Sequence, residues 1–158
     1  MIDFLIVGYG NTLRADDGVG PLVVESLVAG NMPPQAHIKS LCLPQLDLCL
    51  AALMPQIDVA IFIDARQDED ANPMKVDRVV PLALNSASSP LAHTTHALTL
   101  PMLLGLAENW YGRVPCCYLV QPKGFDFSFG DIVSDLCRSG ADLARQAIYQ
   151  IVWGHCDE

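Results

Sequence analysis

Five consecutive apolar residues, Val59-Ala60-Ile61-Phe62-Ile63, end abruptly on Asp64. A strand with one face in water alternates apolar and polar residues, because successive side chains point to opposite faces. An unbroken run rich in β-branched side chains therefore belongs in a sheet covered on both faces, and such sheets are mostly parallel, joined by helices. Phe4-Leu5-Ile6-Val7, inside a strand expected over residues 2–8, makes the same demand.

The rest of the chain alternates in kind. Val19, Leu22, Val23 and Leu27 form a helical stripe, and Ala36–Leu43 reads as a second strand followed by a short helix over 45–53. The third strand, 59–64, is expected to be central. A polar loop over 67–73 leads to a fourth strand near 74–82, and Asn85-Ser86-Ala87-Ser88-Ser89-Pro90 is turn chemistry. A helix over 98–109, a strand over 115–121 and a helix over 131–153 complete the pattern. The last helix is expected to bury Val133, Leu136, Cys137, Ala141, Ala144, Ala147, Ile148 and Ile151. This alternation predicts an α/β fold: a three-layer α/β/α sandwich around a mostly parallel, twisted sheet of about five strands, with right-handed crossovers. One domain is expected over 1–158. Ligands of such folds bind beyond the carboxyl ends of the strands, where the strand order switches.

A net charge of −9 argues against nucleic acid, whose phosphates need a basic face. No apolar run approaches the ~20 residues of a membrane span. The start, Met1-Ile2-Asp3, lacks a basic n-region, so the protein is expected in the cytoplasm. The six cysteines show no C-x-x-C spacing and are expected to be reduced structural thiols, with Cys116 and Cys117 pointing to opposite faces of a strand.

The first strand runs into Gly8-Tyr9-Gly10-Asn11-Thr12-Leu13-Arg14-Ala15-Asp16-Asp17-Gly18-Val19-Gly20. A glycine-rich turn after a buried strand suggests a phosphate cradle, but Leu13 stands where G-x-G-x-x-G needs its third glycine. No acidic residue closes the second strand to take a ribose hydroxyl, and two aspartates would repel a pyrophosphate. P-loop, H-E-x-x-H and G-x-S-x-G motifs are absent. A receiver-like phosphoacceptor is an alternative: Asp16-Asp17, Asp64 and Lys123 imitate its order, although Lys123 precedes glycine rather than proline. A further possibility is a metal site of Asp17, Asp64 and His96, with His93 as the rival histidine; carboxylate and imidazole ligands suit nickel or zinc. Each residue also has an ordinary role open to it. Asp16 or Asp17 can cap the first helix, although Pro21 favours a cap nearer Gly18 or Gly20, and Asp64 can tie down a loop.

The glycine-rich run resembles the G-x-G-N-x-L-x-x-D-[DE]-x-x-G signature of the hydrogenase maturation endopeptidases, which remove a C-terminal extension from the large subunit of [NiFe] hydrogenases. The likeness extends to Ile61-Phe62-Ile63-Asp64-Ala65, to His96 before a Leu-rich helix, to Gly112 before the next strand, and to an Ala-rich C-terminal helix. It implies that Asp17, Asp64 and His96 ligate the nickel already installed in the precursor, with no organic cofactor. It also implies that Asp17 or Asp16 acts as general base and that Asp16 supports the site. The family position matching Asp17 is Glu or Asp, so this chain carries the shorter side chain. Gly10, Asn11 and Gln45 are the expected substrate contacts, with helix entry an equal reading for Gln45. The partner implied is the [NiFe] hydrogenase large-subunit precursor, met by a monomer. Phe125-Asp126-Phe127-Ser128-Phe129-Gly130 is expected to pack in the core rather than touch substrate. The less favoured alternative to a receiver is a nucleotide-binding oxidoreductase.

Overall fold

The computed structural model describes residues 1–84 and 97–158. The turn expected over 85–90, together with His93 and His96, lies outside the described residues. A five-stranded sheet forms the middle layer, in the order β2-β1-β3-β5-β4. The strands are β1 (Ile2–Tyr9), β2 (Ala36–Leu43), β3 (Val59–Ile63), β4 (Met74–Val79) and β5 (Cys116–Pro122). The first three and β5 are parallel, while β4 is an antiparallel edge strand on β5. The α/β sandwich expected from the apolar runs is therefore the fold, and β3 holds the central place that its unbroken hydrophobicity requires.

Strand parity divides the core in two. Phe4 and Ile6 of β1, with Val59, Ile61 and Ile63 of β3, face α1 (Val19–Ser26) and α3 (Asp135–Cys156). Leu5 and Val7, with Ala60 and Phe62, face α2 (Leu100–Tyr111) and the short turns before β3. Both faces are dry, so every residue from Phe4 to Val7 is fully buried. Cys116 packs with the first cluster and Cys117 with the second, as alternation demands.

Three elements depart from the sequence pattern. The helix expected over 45–53 is instead two 3₁₀ turns, Leu48–Ala52 and Met54–Gln56. Pro55 has no N–H to continue an α-helical ladder, so the segment tightens and breaks. The last helix starts at Asp135, not 131, because Ser134 caps it by accepting the Cys137 N–H at 3.3 Å. Leu136, expected on the buried face, is consequently 64% exposed, and Val152 closes the stripe instead. Neither aspartate caps α1. Gly18 is the N-cap and makes no side-chain hydrogen bond, in keeping with Pro21 in the first turn.

The contact that positions everything near the cleft is made by backbone alone. A Cβ on Gly8 would lie 2.3 Å from the Gly20 carbonyl oxygen, and one on Gly20 would lie 2.4 Å from the Ile63 carbonyl oxygen. The start of α1 therefore rests directly on the ends of β1 and β3. Gly20→Ala is expected to cost about 2–3 kcal/mol through overpacking. That lowers the melting temperature by roughly 5–10 °C in thermal denaturation of a chain this size.

Candidate active site

The strand order places β1 between β2 and β3, so consecutive connections leave β1 on opposite sides and a crevice opens between the carboxyl ends of β1 and β3. A cleft of about 460 Å³ occupies this position. Tyr9, Gly10, Asp17, Gln45, Asp64, Thr99 and Leu119 are among the residues that line it. Asp17 and Asp64, the two carboxylates singled out in the sequence, are brought together here, as are Gly10 and Gln45.

Asp64 reaches the cleft because β3 ends one residue earlier; its own N–H still pairs with the Val120 carbonyl at 3.2 Å. Asp17 arrives by a less regular route. Gly10 takes φ +146, and a Cβ there would sit 1.9 Å from the Asp17 carbonyl oxygen, so no other residue lets the loop close this tightly. A single turn of 3₁₀ helix, Ala15–Gly18, then presents the aspartate. The Asn11 N–H donates to Asp17 Oδ2 at 2.7 Å and fixes the carboxylate's direction. Asn11, an expected substrate contact, thus serves Asp17; its side-chain Oδ1 accepts the Leu13 N–H at 2.9 Å.

None of the described cleft residues is Lys, Arg or His. Burial, and then the charge of Asp17, push the Asp64 carboxyl up to about 7, against the opposing pull of the Ala65 N–H and the Tyr9 hydroxyl. The same burial and the Asp64 charge raise the Tyr9 phenol far above its ordinary value. Tyr9 was not singled out in the sequence reading, although parity held the signal. Residues 5, 7 and 9 share one face, and Tyr9 is where that face emerges from the core. Its ring stacks edge-on against Phe62 with centroids 6.5 Å apart, which holds the hydroxyl at Asp64.

Asp16 points elsewhere. It is fully buried. Its Oδ2 accepts the N–H groups of Phe125 (2.8 Å) and Asp126 (3.0 Å) and the Ser134 hydroxyl (2.8 Å), while Oδ1 accepts the Ser134 N–H at 2.6 Å. Burial alone would raise its carboxyl, but the hydrogen bonds from Ser134, Phe125 and Asp126 outweigh it and hold it below the usual range. With four donors on two oxygens, this group anchors the loop between β5 and α3 and does not face the cleft lining. Arg66, two residues past Asp64, is the other buried charge among the described residues: its guanidinium donates to Asp68, to the carbonyls of Asp70 and Asn72, and to that of Gln121. Lys123, which the receiver-like reading would aim at Asp64, donates to the Asp70 carbonyl at 2.7 Å. The sulfurs also stay out of the cleft. All six cysteines are free, and no group of three or more His, Cys, Asp or Glu among the described residues is arranged to hold a metal ion.

No protein-family model and no curated protein matches the chain. Solved structures do. The fold resembles a hydrogenase 2 maturation peptidase from a Thaumarchaeota archaeon, with TM-score 0.65 and 21% identity over 96% of this chain and 97% of that one. It also resembles the hydrogenase maturating endopeptidase HybD from E. coli, with TM-score 0.64 and 18% identity over 94% and 90%. A third is the [NiFe] hydrogenase maturation protease HycI from Thermococcus kodakarensis, with TM-score 0.62 and 23% identity over 96% and 92%. At these identities the likeness establishes a shared fold.

Two expectations follow from the electrostatics. The folded state holds the Asp64 proton more tightly than the unfolded chain, whose aspartates titrate near 4. Asp64 therefore supports the fold most below about pH 4, and that contribution is lost as pH rises through 7. Asp64→Asn should flatten this slope and melt higher than wild type at pH 8 by differential scanning calorimetry. Asp16 has the opposite sign: its depressed carboxyl stabilises above the unfolded value and stops doing so in acid. Asp16→Ala should cost about 3 kcal/mol or more at pH 7, since three backbone N–H groups lose a charged acceptor, and the loss should shrink on acidification.

Proposed function

We propose that this chain is an endopeptidase that removes the C-terminal extension of a [NiFe] hydrogenase large-subunit precursor once nickel has been inserted, and that it identifies its substrate by that nickel. The observation that carries this reading is the convergence of Asp17 and Asp64 on one cleft without a Lys, Arg or His among its described lining residues. Two such carboxylates repel each other in a partly desolvated site, and a divalent cation turns that cost into attraction. The order and spacing of the glycine-rich motif and the fold shared with hydrogenase maturation peptidases support the same conclusion.

In this reading Asp17, Asp64 and His96 receive the nickel as cargo of the substrate, and no organic cofactor takes part. Oxygen and imidazole donors suit this ion, and His96 directly precedes Ala97, which lines the cleft. Anchoring the ion holds the attached tail against the cleft, so that peptide hydrolysis becomes a positioned event rather than a random encounter. No serine or cysteine is among the described lining residues, and Thr99 Oγ is engaged in capping α2 through the Met102 N–H at 3.3 Å. Attack on the scissile carbonyl therefore falls to water, with Asp17 as general base. Asp16 cannot share that duty, because its oxygens are occupied by Ser134, Phe125 and Asp126. Gln45 and Gly10 line the path of the tail. Nickel also acts as a checkpoint, since an unloaded precursor lacks the group the ligands hold. The enzyme acts in the cytoplasm as a monomer.

Incubation with a matched large-subunit precursor, followed by intact-mass measurement, tests the reading. Cleavage is expected for the nickel-loaded form alone, and Asp17→Asn or Asp64→Asn should slow it by about 10² or more. His96→Ala should be inactive while His93→Ala processes normally; the reverse result transfers the ligand role to His93. If wild type leaves its matched, nickel-loaded precursor intact, the proposal is wrong.

A further inference from the structure

The sheet ends in two edges that are defended differently. β4, the antiparallel edge, carries Lys75, Asp77 and Arg78 within six residues, and such charges deter a further strand from pairing there. β2, the parallel edge, runs for eight residues with a single lysine, Lys39. Its register shows which backbone groups are unused. The Gln35 and Leu43 carbonyls accept the N–H groups of Ile2 and Gly10, so the odd-numbered residues of β2 turn their peptide groups toward β1. Successive residues of a strand alternate, so Ile38, Ser40 and Cys42 aim theirs outward. Among the described residues, no backbone group pairs with them.

An apolar groove lies beside this edge. It has a volume of about 470 Å³ between β2 and α1, and its lining includes Val24, Leu27, Met32, Pro34, Ile38 and Ser40. Ile38 and Ser40 thus present both a free peptide group and a wall of the groove. This combination suits an extended chain, whose main chain takes the edge hydrogen bonds while alternate side chains fill the hollow. A helix would leave the edge donors and acceptors unmet.

The direction of the strand narrows the occupant. Leu43 ends β2, and the next three residues, Pro44, Gln45 and Leu46, line the cleft that holds Asp17 and Asp64. The edge is therefore continuous with the cleft. In the proposed reaction the nickel-bearing body of the precursor precedes the scissile bond, so the extension beyond that bond is the part free to leave the cleft as a strand. We infer that the C-terminal extension adds to β2 as a further strand of the sheet. It runs antiparallel to β2, from Leu43 back toward Ile38, with alternate side chains in the groove. The inference rests on the endopeptidase reading and assigns to that site a subsite for the departing peptide. Reaching Ile38 from the end of β2 takes about six residues of extension.

Steady-state cleavage of the nickel-loaded precursor by wild type, Ser40→Pro and Ser40→Lys tests it, with the full extension and with one shortened to about three residues, too few to reach Ile38. Ser40 is exposed and its N–H points outward, so proline removes a donor that the free sheet does not use. Lysine leaves the backbone intact and sets a charge at the groove. On the full extension each variant should raise KM about tenfold with kcat unchanged. Shortening the extension should raise the wild-type KM by a similar factor and abolish the difference between wild type and variants. Thermal melts check that the variants fold; if Ser40→Pro does not, Ser40→Lys carries the comparison. A wild-type KM in the folded variants, a wild-type KM indifferent to shortening, or a variant defect that persists on the shortened extension overturns the added strand and leaves the peptidase reading intact. A dimeric wild type made monomeric by Ser40→Lys at constant KM overturns it in favour of a second copy of this chain paired edge to edge. Failure of wild type to cleave at all removes both.

Discussion

The structure depends on a place where two pieces of backbone touch with nothing between them. Gly8 and Gly20 meet at distances no side chain would permit, and Gly20 also closes on the end of β3. Because α1 enters this close, the 3₁₀ turn before it is pressed over the ends of β1 and β3. Asp17 then opens onto the same cleft as Asp64. A larger residue at either glycine would lift the helix and separate the carboxylates. The cleft is in this sense a consequence of packing density at one point.

The adjacent aspartates of the motif show how one dipeptide can perform two unrelated jobs. In a single turn of 3₁₀ helix, consecutive side chains diverge, so Asp16 and Asp17 face different surroundings. Asp16 is buried and saturated by backbone N–H groups, an arrangement that favours the charged form and orders a distant loop. Asp17 stays partly open beside a second carboxylate, an arrangement that disfavours charge on Asp64. The first carboxylate stabilises the resting protein. Asp17 and Asp64 repel each other when both are charged.

That opposition is the physical basis of the proposed dependence on an ion that arrives with the substrate. A site with both carboxylates already neutralised would gain little from an arriving cation. Burial and the charge of Asp17 push the Asp64 carboxyl up to about 7, while the Tyr9 hydroxyl donates to it and favours the charged form. In the proposed reaction, a divalent ion at these carboxylates would link the state of the site to the state of the precursor.

Much of this was legible without coordinates. The unbroken runs at Phe4 to Val7 and Val59 to Ile63 require a sheet buried on both faces, because no other strand environment tolerates them. The motif's order of glycines and acids likewise marks the turn after β1 as a tight one that carries acids to the carboxyl end of the sheet, and the apolar run before Asp64 marks that residue as the end of a central strand. Other features depended on contacts between residues far apart in the chain. α3 begins at Asp135 and not at the expected 131 because Asp16, 118 positions away, holds its cap Ser134. Phe125 and Phe129, expected to pack in the core, are outside because that same carboxylate pins the backbone at the surface, while Phe127 is half-buried against Gly124. Hydrophobicity alone predicts burial for such residues. Local pattern determines which segments are buried and where strands end; only tertiary structure decided which of two neighbouring aspartates faces the cleft, because that choice is made by the donors that fold in from elsewhere.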